Sequence, residues 1–128
     1  MEEVMIIHVK LSKKSYYLKS KELDVCMLPF TGTAEGPYFK GKILGEGIDT
    51  QKIYHDGRFA LSARYMLEGT DYKGNPCRVF IENNGEAMDQ CIPSIVTDSS
   101  ELQFLTEQKL FSNVVAAEDS ITVKIYKE

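Results

Sequence analysis

The feature of this sequence that most constrains its fold is a two-residue alternation of apolar and polar side chains. It is clearest over residues 58–68, where every second position is apolar: Leu61, Ala63, Tyr65 and Leu67. A period of two places alternate side chains on opposite faces of a β-strand, whereas a helix repeats about every 3.6 residues. The same alternation recurs over residues 77–83. The pattern therefore predicts strands along most of the chain.

Turn signals separate these strands. Asp56-Gly57 and Asn84-Gly85 are pairs that supply the positive φ of tight hairpin turns, and residues 73–76 read Lys-Gly-Asn-Pro. One short helix is predicted near residues 98–106, with Asp98 as its cap and Glu101 as the capping-box partner. Many short strands with one helix predict an all-β fold. We expect a closed or nearly closed antiparallel β-barrel, as a single domain over residues 1–128.

A glycine-rich stretch, residues 30–51, raises the question of nucleotide binding. Gly45-Glu46-Gly47 lacks the third glycine of a dinucleotide fingerprint, and no phosphate-binding loop motif follows it. Glu46 and Asp49 would also repel a phosphate. Glycines within strand-like sequence more often mark bulges or sharp bends. We therefore expect this stretch to bend a strand so that a small barrel can close.

Composition and charge limit the partners. The formal net charge of −4 disfavours nucleic acid, whose phosphates require a basic surface. The N-terminus is acidic and only briefly apolar, and no apolar run approaches the ~20 residues of a membrane span. We therefore expect a cytoplasmic protein without a membrane partner. Cys26, Cys77 and Cys91 form no CxxC pair, so we expect reduced thiols, no metal and no cofactor.

Three segments together resemble a bacterial family of uncharacterised proteins, DUF3237: GPYFKGKILGEGIDTQ, DGRFALSARYMLEGTDYKGNPCRVFIENNGE and PSIVTDSSELQFLTEQKLF. The matching positions, within residues 32–125, are Gly45, Gly47, Asp49, Asp56, Gly57, Ala63, Arg64, Tyr65, Asn83, Gly85 and Thr97. The resemblance implies a lipocalin-like (calycin-like) barrel, usually a homodimer, with a cavity for a small apolar molecule. It implies no assigned reaction. Glu46 and Thr50 depart from the family pattern, which puts an aromatic pocket floor in doubt.

Arg64 is the residue most suggestive of a site, because it lies mid-strand between apolar Ala63 and Tyr65. A buried charge needs a partner, and Asp49, Glu68 and Glu82 are the candidates. One interpretation has Arg64 and Asp49 pointing into the cavity and binding an anionic or carbonyl-bearing ligand. The other is a structural ion pair. The predicted ligand-binding residues are Asp49, Arg64, Tyr65, Met66, Phe80 and Glu82.

Three functions remain open from the sequence. The first is a small-molecule-binding barrel, with its ligand in the interior or mouth. The second is a cofactor-independent enzyme of isomerase, cyclase or lyase type, using Asp49, Arg64 and Glu82 for proton transfer. The third is a structural or interaction barrel whose core is filled by side chains. Apolar residues occur on both faces of the central strands, so the sequence leaves open which face is interior.

Overall fold

The computed structural model describes residues 1–118 and 120–128, which form ten strands and a short helical segment. Every strand pairing is antiparallel, as expected from the sequence. The strands are β1 (Glu2–Leu11), β2 (Tyr16–Lys19), β3 (Leu23–Glu35), β4 (Phe39–Ile43), β5 (Gly47–Tyr54), β6 (Phe59–Asp71), β7 (Pro76–Gly85), β8 (Ile92–Thr97), β9 (Leu110–Ala116) and β10 (Ile121–Lys127).

The strands form one curved sheet in the order β8-β7-β6-β4-β3-β1-β10-β9, with β5 also lying between β3 and β6. The terminal strands β8 and β9 contact each other, but within the described chain no hydrogen-bonded ladder joins them. The barrel is therefore nearly closed, which confirms the prediction of a closed or nearly closed barrel. β2 pairs only with β3 and forms an edge strand outside the barrel.

The glycine-rich stretch bends one strand, as predicted. β4 and β5 run in the same direction between β3 and β6, and residues 44–46 separate them. Across this break the pairing shifts by two residues, since Gly41 faces Gly69 whereas Ile48 faces Arg64. Gly45 has a φ of +65°, a backbone conformation that glycine adopts without strain. The break is therefore a bulge of two extra residues.

The apolar face of the central strands is interior. Leu67, Val79 and Ile81 are fully buried, and the core cluster extends to β1, β3 and β10. The two ends of the barrel differ. The helix end holds the helical segment and the turn over residues 72–75. The open end holds the loop over residues 86–91 and the ends of β1 and β9.

The helical segment differs from its prediction. It consists of a 3₁₀ turn (Ser100–Leu102) and one α-helical turn, α1 (Phe104–Glu107). Leu102 and Leu105 are buried against the core. The predicted capping box is wrong, because Ser99 is the N-cap residue and makes no capping hydrogen bond through its side chain. The Asp98 carboxylate instead accepts a hydrogen bond from the backbone N–H of Arg78 at 2.8 Å.

Two of the three predicted turns are confirmed. Gly57 and Gly74 have φ values of +100° and +85° in the turns that follow β5 and β6. The hairpin predicted at Asn84-Gly85 is wrong, because β7 continues through Gly85. A Cβ at Gly85 would lie 2.8 Å from Cys91 Sγ. This glycine is therefore needed for close approach rather than for a turn.

Candidate functional site

Asp49 lies on the inner face of the barrel, and Arg64 does not. The β5–β6 ladder places Asp49 opposite Ala63 and Ile48 opposite Arg64. Successive side chains of a strand point to opposite faces, so the two charged residues lie on different sides of the sheet. Arg64 is instead on the outer face, with its Nε 3.4 Å from Glu82 Oε2. The predicted Asp49–Arg64 pair, and a ligand-binding Arg64 inside the barrel, are therefore wrong.

The other predicted ligand-binding residues divide in the same way. Tyr65 is interior and only 5% exposed, and its ring meets Phe30 edge to face with centroids 5.4 Å apart. Met66, Phe80 and Glu82 lie on the outer face with Arg64. The structure therefore brings Asp49 and Tyr65 to one interior region and separates them from the other four. The acid–base trio of Asp49, Arg64 and Glu82 does not converge.

A cavity of about 60 Å³ occupies the open end of the interior. Its walls come from β1, β3, β5, β6, β7, β9, β10 and the loop over residues 86–91. They are mostly apolar, and their polar groups are the Asp49 carboxylate, the Asn83 amide and the Tyr65 hydroxyl. The apolar and aromatic lining residues are Val9, Leu11, Phe30, Leu61, Ala63, Tyr65, Met88, Cys91, Val114, Ile121 and Val123. A core filled solid by side chains does not describe this end of the barrel.

Asp49 carries an incomplete set of hydrogen bonds. Its Oδ2 accepts from the Gln51 side-chain amide at 3.0 Å. Its Oδ1 is buried and has no hydrogen-bond partner in the structure. Burial raises the pKa of the Asp49 carboxyl, and the hydrogen bond from Gln51 partly opposes that rise. Asp49 is therefore a carboxylate in apolar surroundings with one oxygen free to bind.

A polar network beside the cavity bridges the seam between β8 and β9. The Asn83 amide donates to Ser112 Oγ at 3.2 Å. The Ser112 hydroxyl donates in turn to the carbonyl oxygen of Cys91, also at 3.2 Å. The sequence placed Asn83 at the end of a predicted strand and among the family positions, and it did not single out Ser112. The signal for Asn83 was its position, since it continues the inward alternation of Val79 and Ile81.

Neither a reactive thiol nor a metal cluster accompanies Asp49. Burial raises the pKa of the Cys91 thiol, and the negative charges of Asp49 and Asp89 raise it further, so little thiolate forms at neutral pH. The Cys91 S–H donates to the carbonyl of Ala87 at 3.3 Å. Across the described residues, no group of three His, Cys, Asp or Glu side chains could hold a metal ion.

A larger groove of about 880 Å³ lies on the outer face of the same strands. Its outward-facing residues are Met27, Ile48, Thr50, Lys52, Ala60, Ser62, Arg64 and Asn84. Ser62 Oγ is buried there without a hydrogen-bond partner. The β5–β6 pair therefore has one unpartnered polar atom on each face, and the two surfaces compete as binding sites.

The fold and the interior cavity define a β-barrel-like protein with a polar group at one end of an apolar interior. The sequence profile of the family described as protein of unknown function (DUF3237) matches residues 1–115. The chain belongs to that family. An UPF0311 protein of Clostridium acetobutylicum is 42% identical over 55 residues. That match covers 43% of this chain and 32% of the relative, about a third of its length.

Solved structures share the fold over nearly the whole chain. A β-barrel-like protein from Acinetobacter baumannii aligns with a TM-score of 0.79 and 19% identity, covering 98% of this chain and 93% of the other. A protein from Penicillium herquei, described as an enzyme, aligns with a TM-score of 0.69 and 13% identity, covering 98% and 96%. At these identities the likeness concerns the fold alone.

Proposed function

We propose that this protein binds a small organic molecule in the cavity at the open end, against Asp49. The observation that supports this function is the buried Asp49 Oδ1, which has no hydrogen-bond partner among the residues that the structure describes. A buried, incompletely paired carboxylate costs free energy. Such groups are concentrated at functional sites, where a ligand completes the hydrogen bonding. The apolar wall around Asp49 supplies the contact surface for the remainder of a ligand.

The cavity size limits the ligand. Pockets for drug-sized molecules usually measure roughly 300–1,000 Å³, much more than the 60 Å³ found here. A ligand therefore has only a few non-hydrogen atoms, or its entry displaces part of the wall. Met88 is the wall residue best suited to move, because its side chain is flexible and 44% exposed. It lies on the loop that borders the open end.

A pair of matched substitutions on β6 tests the location. Ala63 lines the cavity, and Ala60, three residues away, lines the outer groove. Native mass spectrometry of protein taken directly from cells would detect a retained small molecule. We expect Ala63→Leu to lose that molecule, because the larger side chain fills the cavity, and Ala60→Leu to keep it. The opposite result would place the ligand in the outer groove and overturn the proposal.

A second candidate function is proton transfer by Asp49. Burial raises the pKa of this carboxyl toward neutrality, the change that general acid–base catalysis requires. A Penicillium herquei protein with a similar fold is described as an enzyme. Asp49→Asn keeps the shape and removes the proton exchange. If the protein is an enzyme, Asp49→Asn should stop its conversion of a metabolite in a cell extract, as measured by mass spectrometry. The variant should still retain the molecule. Conversion at an unchanged rate would argue against the enzyme.

Two further expectations from the sequence stay predictions: association into a homodimer and a cytoplasmic location. Over the described residues, no helix is long and apolar enough to span a membrane. The outer groove carries charges of both signs, Lys52 and Arg64 with Glu46 and Glu86, so two copies could pair opposite charges there. Sedimentation of the wild type and of Ala60→Leu would test whether copies associate through this groove.

A further inference from the structure

We propose that the interior site selects molecules that donate a hydrogen bond, an alcohol or a primary amine on a small apolar body, and excludes carboxylates. This inference rests on the proposed function and specifies its ligand. It also replaces the anionic ligand that the sequence suggested, because the cation expected to bind such a ligand lies outside the barrel.

The charges around the cavity favour a donor. Among its lining residues there is no lysine, arginine or histidine. The other titratable lining groups are Tyr65 and Cys91, and burial raises the pKa of both, so both are neutral near pH 7. Asp49, whose pKa burial also raises, is thus the one lining group that can carry a negative charge near neutral pH. A carboxylate ligand would place a second negative charge in the same apolar space without a counter-ion.

The hydrogen bonds already made inside the barrel restrict the ligand further. The Asn83 amide donates to Ser112, which in turn donates to Cys91, so the hydroxyl hydrogen of Ser112 is already used. Asp49 Oδ2 accepts from Gln51. Within the described chain, Asp49 Oδ1 is the one buried side-chain atom at the cavity that lacks a partner. An ionised carboxylate oxygen accepts hydrogen bonds and donates none.

The rest of the ligand meets an apolar wall. Phe30, Ala63 and Val123 contribute carbon surface on three sides of the cavity. A second polar group placed away from Asp49, Tyr65 and Asn83 would be buried there without a partner, which is costly. One donor on a compact branched hydrocarbon therefore fits the site. An ammonium gains a charge-assisted hydrogen bond to Asp49, whereas a hydroxyl loses less hydration on entry. The shared requirement is the donor.

Three probes with the same branched four-carbon skeleton would test this selection: isobutanol, isobutylamine and isobutyrate. Each is titrated at pH 7 into ¹⁵N- and ¹³C-methyl-labelled protein at millimolar concentration, with the resonances of Ala63, Asn83 and Met88 followed by NMR. We expect the alcohol and the amine to shift these resonances in a saturable way. We expect isobutyrate to bind at least about ten-fold more weakly, a difference of about 1.4 kcal/mol.

Two carboxylates on strands that flank β6 provide the matched variants. Asp49→Asn removes the interior charge, and Glu82→Gln removes a charge on the outer face. We expect Asp49→Asn to weaken amine binding about ten-fold and to reduce the discrimination against isobutyrate, while Glu82→Gln changes neither. If Asp49→Asn leaves the preferences intact, the selection does not arise from Asp49 and the inference is overturned.

The outcomes separate the inference from the proposed function. Isobutyrate binding as well as isobutanol, with both shifts abolished by Ala63→Leu, would overturn the donor selection and leave the interior site standing. No saturable shift with any probe, or equal shifts in Ala63→Leu, would argue against an interior site altogether. Tighter binding of isobutanol and isobutylamine than of isobutyrate, lost in Ala63→Leu, would support both.

Discussion

The two ends of the barrel each contain an inward-placed aspartate, and the two aspartates have opposite environments. At the helix end, Asp71 is only 6% exposed and its carboxylate is fully engaged. Ser99 Oγ donates to Oδ2 at 2.8 Å, and the backbone N–H groups of Lys73 and Asn75 donate to Oδ1 at 3.0 and 3.1 Å. At the open end, Asp49 has one oxygen without a partner.

The electrostatics follow the hydrogen bonds. Burial opposes ionisation of Asp71, but the hydrogen bonds from Ser99, Asn75 and Lys73 outweigh it and lower the pKa of Asp71. For Asp49 burial prevails over one hydrogen bond, and the pKa rises. Asp71 therefore stabilises a turn at the helix end, whereas Asp49 at the open end has an oxygen that can still accept a hydrogen bond. Satisfied hydrogen bonding marks the structural aspartate, and the unsatisfied oxygen marks the candidate site.

The largest expected effect compares packing at the two ends. Leu102 is fully buried at the helix end, and Leu61 borders the cavity and is 7% exposed. Leu102→Ala leaves a new void in a filled core and should lower the free energy of unfolding by about 4 kcal/mol. Leu61→Ala enlarges a space that already exists and should cost about 2 kcal/mol. Urea denaturation measures both, and equal losses would mean that the two ends are equally well packed.

The next comparison exchanges each aspartate for asparagine. Asp71→Asn should lower the unfolding temperature at pH 7, because it loses charge-assisted hydrogen bonds. Asp49→Asn should raise the unfolding temperature, because it removes an incompletely paired buried charge. Asp56→Asn, in an exposed turn, is the control and should change little. Thermal unfolding monitored by circular dichroism would decide. A loss of stability in Asp49→Asn would mean that Asp49 also has a structural role.

The pH dependence of the same variants sharpens this contrast. A raised pKa in the folded state gives a stabilising contribution that is full below the unfolded pKa and is lost as pH rises through the folded pKa. Asp49 therefore destabilises the protein at neutral pH, and the advantage of Asp49→Asn should vanish in acid. The lowered pKa of Asp71 gives stability above the unfolded pKa that is lost as pH falls. The cost of Asp71→Asn should accordingly shrink in acid.

The smallest expected effect concerns the outer face. Arg64 pairs with Glu82 near solvent, with 64% of the Arg64 side chain exposed. Exposed ion pairs contribute little, so Arg64→Gln should change the free energy of unfolding by less than about 0.5 kcal/mol. It should also leave binding in the cavity unchanged, as followed by the Met88 resonance. A large loss of stability would restore the structural role that the sequence suggested for this arginine.

Local patterns in the sequence predicted much of the fold. The alternation over residues 58–68, the glycines at the two confirmed turns and the bend near Gly45 each reflect short-range backbone chemistry. The choice of interior face depends on contacts between distant strands, which is why Asp49 and Arg64 were paired wrongly. The role of Asp98 was missed for the same reason, since its partner Arg78 lies twenty residues away. Gly85 was assigned to a turn because the sequence does not show that Cys91 packs against it in the folded chain.

The two-residue bulge between β4 and β5 has a consequence for insertions and deletions. Because side chains alternate with a period of two, a bulge of two residues leaves the odd-numbered positions of both strands facing inward. Loss of one residue from the 44–46 segment would reverse that order and turn Asp49 toward solvent. Loss of two would remove the bulge and keep Asp49 facing inward. Length changes at this point should therefore be tolerated in even numbers and not in odd ones.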